Sequence, residues 1–345
     1  MKRKTFSWDW SLKDLKKTEG HGSKVFSTFA CGGGSTMGYK LAGYDVLGCN
    51  EIDPRMIELY KKNLNPKIVI PGDIRSLHGM KLPKELYHLD LLDGSPPCST
   101  FSISGNRERD WGRKKKFTEG QQEQTLDDLF FEFIKLGKEL QPKIIMAENV
   151  KGIVMGRAAT YVSQIYRDLD EAGYEVQHWL MNASRMGVPQ IRERVFFIAL
   201  RKDLVKKVPA LDLNVFNQRP INYSEIEEVN PPQVRTITPA AKELWERSRW
   251  GSDFSKAHAN GTSFTQRRAH PDKPLHTLTT QISGKYFHYN DPREISDLEL
   301  IRGNTFPKDY DFGGLQVQYV TGMSVPPVML AGIAQEIYFQ WLTKL

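Results

Sequence analysis

Near its start the chain reads Val25-Phe-Ser-Thr-Phe-Ala-Cys-Gly-Gly-Gly-Ser-Thr-Met-Gly38. An apolar strand here runs into a glycine turn and then into a helical stretch. Glycine lets the backbone approach a ligand closely, and in parallel sheets such turns lie at the carboxyl edge, where ligands bind. The turn lacks the G-x-G-x-x-G spacing of dinucleotide sites, so alone it also fits a plain tight turn.

From Lys24 to Leu200, short apolar runs alternate with stretches of helical periodicity. Continuous apolar strands that alternate with helices indicate a parallel sheet covered on both faces. We therefore predict an α/β fold with a mainly parallel, doubly wound sheet. The predicted strands are residues 25–29, 46–50, 68–70, 89–92, 144–147, 175–180 and 195–200, and the predicted helices are residues 54–63, 126–140 and 158–172.

The composition divides the chain into four parts. Residues 1–23 are basic and aperiodic, which predicts an arm outside the core, and residues 24–200 form the α/β domain. Residues 201–265 are polar and contain Pro231-Pro232, which is typical of a loop-rich module. In residues 266–345, helical spacing over 325–342 predicts a helix that returns to the α/β domain.

Charge and cysteine content limit the class of protein. The formal net charge of +7 suits a polyanionic partner but is weak support alone. The three cysteines are far apart, so neither a disulfide framework nor a metal site is expected. The chain has no run of about 18 uncharged apolar residues, so the sequence predicts no membrane span. Its polar N-terminus lacks the apolar core of a signal peptide. We expect a cytoplasmic monomer.

Two acidic residues follow the second and third predicted strands. Glu51 comes about twenty residues after the glycine turn, where an acid can accept hydrogen bonds from ribose hydroxyls. Asp73 is a candidate partner for an adenine amino group. Glu51 alone also fits a solvated strand end, but with the glycine turn it favours an adenosyl ligand.

The loop after the fourth predicted strand reads Leu91-Leu-Asp-Gly-Ser-Pro-Pro-Cys-Ser-Thr-Phe-Ser-Ile-Ser-Gly105. A buried strand thus delivers Cys98 onto a proline-stiffened turn, where nearby backbone N–H groups favour a reactive thiolate. A lone cysteine is more often a small core residue, but a polar, serine-rich loop after Pro-Pro is not typical of core packing. The basic run from Asn106 to Phe117 fits either a solvated loop or a lid over a phosphate backbone.

Three motifs in this order resemble the DNA (cytosine-5)-methyltransferases: Gly94-Ser-Pro-Pro-Cys-Ser-Thr-Phe-Ser102, Glu148-Asn-Val150 and Gln190-Ile-Arg-Glu-Arg194. The glycine turn is similar to the first motif of that family, the segment Arg267 to Thr280 to its ninth, and Gly322-Met-Ser-Val-Pro326 to its tenth. The resemblance covers residues 24–340. It implies a Rossmann-like S-adenosylmethionine-dependent methyltransferase fold, with residues 201–265 as the target-recognition region.

The resemblance also implies roles for individual residues. Cys98 attacks C6 of a cytosine, Glu148 supports N3, Arg194 reaches O2, and Arg192 holds the region together or contacts the base edge. The expected contacts of S-adenosylmethionine, which leaves as S-adenosylhomocysteine, are Phe29, Ala30, Gly33, Gly34, Glu51, Asp73, Ile74, Pro97 and Ser324. The expected contacts of double-stranded DNA are Ser102, Ser104, Arg107, Arg109, Lys114, Lys115, Arg267 and Arg268.

The implied chemistry requires this set of groups. Cytosine C5 is a poor nucleophile until a thiolate adds to C6, and a donor at N3 stabilises the developing charge, so Glu148 would have to be protonated there. The methyl group passes to C5, and loss of the C5 proton then frees Cys98. Because a thiol cannot reach C6 inside a duplex, the base must be flipped out.

The sequence departs from the family pattern at several positions. Cys31 and Gly32 interrupt the usual Phe-x-Gly-x-Gly-Gly turn, and Met323 replaces the usual asparagine of the tenth motif, so both bear on cofactor affinity. Ser99 lies where many members have glutamine. None of these positions belongs to the catalytic set.

Several alternatives stay open at the level of sequence. The rivals are a tRNA cytosine-5 methyltransferase, a catalytically silent DNA-binding relative and an adenosyl enzyme for a small molecule. An independently acting restriction endonuclease as cognate partner and a solitary methylase are equally compatible with the chain. The target sequence is not readable, although the recognition region offers candidate groove contacts at Arg219, Arg235, Trp245, Arg247, Arg249 and Trp250.

Overall fold

The computed structural model describes residues 2–97, 128–156, 159–258, 260–261, 266–280 and 284–345. Seven strands form its central sheet: β1 (Lys24–Thr28), β2 (Asp45–Glu51), β3 (Ile68–Pro71), β4 (Leu91–Gly94), β5 (Ile144–Val150), β6 (Tyr174–Asn182) and β8 (Glu193–Arg201). Four two-residue strands lie outside it: β7 (Gln190–Ile191), β9 (Arg267–Arg268), β10 (Leu275–His276) and β11 (Tyr286–Phe287).

The sheet has the order β3-β2-β1-β4-β5-β8-β6. Neighbouring strands run parallel, except that β8 runs antiparallel to both β5 and β6. The prediction of an α/β fold with a mainly parallel sheet is confirmed, and each of the seven predicted strands overlaps an observed one. The reversal of β8 is the feature that the apolar pattern did not reveal, because a buried strand looks the same in either direction.

Helices cover both faces of the sheet. The α-helices are α1 (Leu12–Leu15), α2 (Gly34–Ala42), α3 (Pro54–Leu64), α4 (Leu129–Leu140), α5 (Ala159–Glu171), α6 (Lys202–Val205), α7 (Pro239–Arg247), α8 (Asp297–Gly303), α9 (Val317–Met323) and α10 (Pro327–Gln340). Successive strand residues enter opposite cores, as the period of two requires. Val25 packs on the face of α2 and α10, whereas Phe26 packs on the face of α4 and α5. This two-sided burial explains the continuous apolar strands.

The N-terminal segment differs from the predicted arm. Trp10 is buried, and its indole N–H donates to the Thr305 carbonyl oxygen at 2.8 Å. Arg3 pairs with Glu336 on α10 through Nε and Oε1 at 2.8 Å. The prediction that residues 1–23 lie outside the core is therefore wrong at Trp10, because a single aromatic anchor has no periodicity that would reveal its burial.

The loop-rich module predicted at residues 201–265, called the small module from here on, extends past the predicted boundary at residue 265. Its strand β9 pairs with β11, and Phe254 stacks on Phe287 with ring centroids 5.1 Å apart. A separate cluster of buried apolar side chains in the same module joins Tyr223 and Ile226 to Leu275 and Leu300. Residues on both sides of the boundary thus share one core, and two-residue strands were too short to be recognised in the sequence. The remaining domain boundaries stay predictions.

The stretch Val317–Lys344 is long and apolar enough, by length and composition alone, to cross a membrane. Its apolar window is 94% buried inside the protein. Burial of this kind is what a helical core segment shows, and α10 accordingly packs against α2 and the sheet.

Candidate active site

The glycine turn between β1 and α2 has the backbone conformation that its sequence suggests. Gly33, the N-cap of α2, has a φ of 85°, which favours glycine. A Cβ on Gly34 would lie 2.5 Å from the Val325 carbonyl oxygen, so the turn and the C-terminal segment approach too closely for a side chain. Cys31 is also left-handed, with a φ of 45°, and burial raises the pKa of its thiol, with Glu51 adding to the effect.

Glu51 ends β2 beside this turn and accepts three backbone hydrogen bonds. Its Oε2 accepts from the Cys31 N–H at 2.7 Å, and its Oε1 accepts from the Ile52 and Asp53 N–H groups at 2.8 and 2.9 Å. Burial raises the pKa of Glu51, while these three hydrogen bonds lower it. The carboxyl group is thereby held rigidly against the turn, as an acceptor for a hydroxyl-bearing ligand would need to be.

Asp73 follows β3 and caps the short helical turn Ile74–Leu77. Its Oδ1 accepts from the Arg75 N–H at 2.9 Å, and its Oδ2 pairs with Arg75 Nη1 at 2.8 Å. Asn50 ties the neighbouring strand end to this one by donating to the Ile70 and Gly72 carbonyl oxygens at 3.0 and 2.9 Å. The strand ends that carry Glu51 and Asp73 are thus fixed relative to each other.

A cavity of about 240 Å³ lies at the carboxyl edge of the sheet. It brings together five residues predicted to bind the cofactor, which are Phe29, Ala30, Gly34, Pro97 and Ser324. The same cavity is lined by the predicted catalytic residues Glu148, Arg192 and Arg194. Gly33, Glu51, Asp73 and Ile74 do not line it, although Glu51 bonds to the Cys31 N–H at its wall.

The described residues stop at Pro97 and resume at residue 128. Cys98, Ser102, Ser104, Arg107, Arg109, Lys114 and Lys115 lie outside the described residues, and so does Ser99. Their predicted roles stay predictions.

Glu148 and Arg194 form an ion pair inside the cavity. Arg194 Nε donates to Glu148 Oε1 at 3.0 Å, and both side chains are largely buried. Burial lowers the pKa of Arg194, while Glu148 raises it. The pair exists because β8 runs antiparallel to β5, with Val150 opposite Arg194, so the start of β8 meets the carboxyl end of β5.

Asn149 is a site residue that was absent from the predicted set. Its Nδ2 donates to the Pro96 carbonyl oxygen at 3.2 Å, and its Oδ1 accepts from the Val150 N–H at 2.8 Å. Asn149 therefore anchors the Pro96-Pro97 turn that precedes Cys98. The Glu-Asn-Val motif contained the signal, since a buried amide at a strand end needs partners.

Arg192 connects three parts of the chain. It is 2% exposed, and it donates from Nη1 to the Leu278 carbonyl oxygen at 3.0 Å and from Nη2 to the Gly322 carbonyl oxygen at 3.2 Å. Burial lowers the pKa of Arg192 to about 9, with Arg194 adding to the effect and Glu148 opposing it. Of its two predicted roles, this geometry favours holding the region together.

Arg267 and Arg268, both predicted to contact DNA, have different surroundings in the small module. Arg268 donates to the carbonyl oxygens of Tyr289, Trp245 and Ser248, and its guanidinium lies 3.9 Å from the Trp245 ring centroid. Trp245 itself is buried, so its candidacy as a groove contact is wrong. Arg267 lines a second cavity. Arg268 has a packing role here, and its contact with DNA has no support from this geometry.

Within the described ranges, no group of three or more His, Cys, Asp and Glu side chains could hold a metal ion. Cys31 and Cys49 are free thiols.

The sheet order with its single reversed strand, and a cavity at its carboxyl edge, define a Rossmann-like methyltransferase fold. The family profile of the C-5 cytosine-specific DNA methylases matches residues 23–338. The chain belongs to this family, which confirms the family and the class of function indicated by its sequence motifs.

Similar proteins include bacterial type II methyltransferases. The chain is 38% identical to M.FnuDI of Fusobacterium nucleatum over 181 residues, which is 52% of this chain but only about half, 48%, of that relative. It is 25% identical to M1.HphI of Haemophilus parahaemolyticus over 335 residues, covering 90% of this chain and 85% of that one.

Solved structures show the same fold. A prophage-encoded protein of E. coli, assigned as a DNA modification methyltransferase, superposes with a TM-score of 0.69 at 22% identity, covering 92% of this chain and 99% of that one. A DNMT2 mutant of Spodoptera frugiperda gives a TM-score of 0.64 at 16% identity, covering 92% and 100%. At these identities the likeness establishes the fold alone.

Proposed function

We propose that this protein methylates C5 of a cytosine flipped out of duplex DNA, using S-adenosylmethionine as donor and Cys98 as the covalent nucleophile. The observation that carries the proposal is the buried Glu148–Arg194 pair, which shares one cavity with the glycine turn and with Pro97. Pro97, which lines that cavity, directly precedes Cys98 in the sequence.

The cavity suits an adenosyl sulfonium at the glycine turn. Gly34 lets the C-terminal segment that carries Ser324 close against the turn, and Glu51 is a fixed, buried acceptor behind the Cys31 N–H. When bound, S-adenosylmethionine supplies an electrophilic methyl group. Phe29, Ala30 and Ser324 would hold it, and Glu51 would accept from its ribose hydroxyls.

Glu148 and Arg194 would hold the pyrimidine. Arg194 pairs with Glu148 Oε1, and Oε2 has no hydrogen-bond partner among the described residues, so Oε2 in its protonated form would donate to N3 of a flipped cytosine. The guanidinium of Arg194 would donate to O2 of the base. Both contacts strengthen as charge develops on the ring after the Cys98 thiolate bonds to C6. C5 then accepts the methyl group, the C5 proton leaves to solvent, and β-elimination breaks the Cys98–C6 bond and restores the thiolate.

Methyl transfer from tritiated S-adenosylmethionine tests the proposal, with duplex DNA and tRNA as separate substrates and as competitors. We expect label in DNA that survives excess tRNA. Arg194→Ala should lower the rate by about 100-fold or more, since it removes a buried charge contact to the reacting base. Arg201→Ala, at the opposite and exposed end of β8, is the matched control and should retain activity.

Label in tRNA alone would replace DNA as the substrate. Label in neither nucleic acid, from a protein that binds S-adenosylmethionine, would favour a small-molecule acceptor or a silent relative. A monomeric state, a cytoplasmic location and independence from a restriction endonuclease stay predictions.

A further inference from the structure

A second cavity, of about 250 Å³, lies in the small module and is separate from the active site. Its lining includes Ile191, Arg267, Lys273, His276 and Tyr286. Ile191 belongs to β7, which pairs with β10 and is followed at once by Arg192, a residue that lines the active site. The two cavities therefore lie next to each other along one short ladder.

Positive charge dominates this second cavity. Arg267 Nη2 lies 3.9 Å from Asp253 Oδ2, the outer limit of an ion pair, so its charge is only weakly balanced. Lys273 is exposed and forms no ion pair with any residue that the structure describes. The remaining cation, Arg268, is bound to carbonyl oxygens of the module core.

His276 contacts Arg267 and orients its guanidinium group. Burial and the charge of Arg267 lower the pKa of His276, so the ring is neutral at neutral pH. A neutral ring can accept at Nε2 from Arg267 Nη1, and these atoms lie 3.3 Å apart. His276 thereby holds Nη1 of Arg267 at the cavity lining, and part of the five-donor fork of Arg267 is left for an anion.

An exposed tryptophan stands at the edge of the cavity. Trp250 is 48% exposed, and its ring lies 6.1 Å from that of His270 and 5.6 Å from that of Tyr289. The adjoining Gly251 lines the cavity and has a φ of 75°, so a side chain there would be strained. An exposed aromatic ring beside unbalanced cations is typical of surfaces that bind a sugar–phosphate backbone.

We propose that this cavity binds a phosphodiester of the DNA, with Arg267 and Lys273 as the phosphate ligands and Trp250 packed against the adjoining sugar or base. The proposal rests on the proposed function and adds an anchor for the strand whose flipped base enters the neighbouring active site. Such a contact fixes register but reads no base.

The test compares Lys273→Met and Arg267→Met with two control variants: Lys242→Met, which removes a charge from the exposed helix α7 of the same module, and Arg201→Met, at the far end of β8. DNA affinity is measured by anisotropy over a range of salt concentrations, and turnover at saturating DNA. For each cavity variant we expect about tenfold weaker binding and a salt slope smaller by about one, at nearly unchanged saturated turnover. The two control variants should match the unmodified protein in both slope and affinity.

Three outcomes would overturn the proposal. Lys273→Met, an exposed change that leaves the fold intact, could show the salt slope of the controls. Either cavity variant could lose saturated turnover at unchanged DNA affinity, which would mean a role in assembling the active site. Inorganic phosphate could bind in a Lys273-dependent manner while DNA affinity stays the same, which would mean a free-anion site. Failure of the proposed function is distinguished by absent methyl transfer from the unmodified protein in the same series.

Discussion

Asp93 lies in β4 with its carboxyl group buried, and no cation that the structure describes pairs with it. The side chain is 2% exposed and accepts from the Tyr39 hydroxyl at 3.2 Å. Burial raises the pKa of Asp93 to about 7, hydrogen bonds from Ser27 and Tyr39 oppose the rise, and the charge of Glu148 adds to it. We predict that Asp93→Asn stabilises the protein above neutral pH.

The magnitude follows from proton linkage. A pKa that moves from 3.8 to about 7 on folding corresponds to roughly 4 kcal/mol. The folded state holds the proton more tightly than the unfolded state, so this contribution is fully present below pH 3.8 and is lost as the pH rises through about 7. Asparagine is uncharged throughout and can still accept from Tyr39, so the variant avoids the loss.

Urea unfolding between pH 5 and 8.5 measures the effect. We expect the gain of Asp93→Asn in free energy of unfolding to reach about 2–4 kcal/mol at pH 8.5 and to shrink steadily toward pH 5. Asp203→Asn is the control, because Arg201 lowers the pKa of that exposed carboxyl, and it should give no gain at high pH. A gain for Asp93→Asn that does not vary with pH, or no gain at all, would refute the buried ionisation.

The other predictions concern Glu51 beside the glycine turn, the buried Arg192, and the contact between α2 and α10. Glu51→Gln should weaken S-adenosylmethionine binding by about tenfold in calorimetry and lower the free energy of unfolding by about 1–3 kcal/mol, because the amide NH2 replaces an oxygen that accepts from a buried backbone N–H; an unchanged affinity would contradict the predicted cofactor contact. Arg192→Met should lower the free energy of unfolding in urea by about 3 kcal/mol, because it leaves two buried carbonyl oxygens without their donor. A change below about 0.5 kcal/mol would contradict the role of Arg192 in holding the three segments together. Gly38→Val should cost about 1–3 kcal/mol, because its Cβ would lie 2.7 Å from Leu330 Cβ on α10, whereas Gly20→Val, which meets only an ordinary contact at 3.7 Å, should cost less.

The sequence was most informative where local chemistry determines structure. The apolar runs predicted the sheet strands because both faces of the sheet are covered, and the glycine turn was recognisable because Gly33 requires a left-handed backbone. Cys98, Glu148 and Arg194 were selected as a set by their motifs. The spatial relation of Glu148 and Arg194 was not predictable from periodicity, because it depends on the reversal of β8 between β5 and β6.

Long-range contacts account for what the sequence did not reveal. Trp10 was assigned to a free arm, yet it hydrogen-bonds to a residue almost three hundred positions away. Arg268 was expected to contact DNA, and its Nε and Nη1 donate to carbonyl oxygens within the module. In both cases the partners lie in segments well separated along the chain, so the local sequence could not reveal them.

Covalent catalysis by Cys98 can be trapped on duplex DNA that carries 5-fluorocytosine, in the presence of S-adenosylmethionine. Fluorine cannot leave C5 as a proton does, so the enzyme should stay bonded at C6. We expect a denaturation-resistant adduct that peptide mapping places on Cys98, and that Cys98→Ser abolishes without changing the melting temperature. An adduct on Cys31 or Cys49, or normal methyl transfer by Cys98→Ser, would contradict the proposed mechanism.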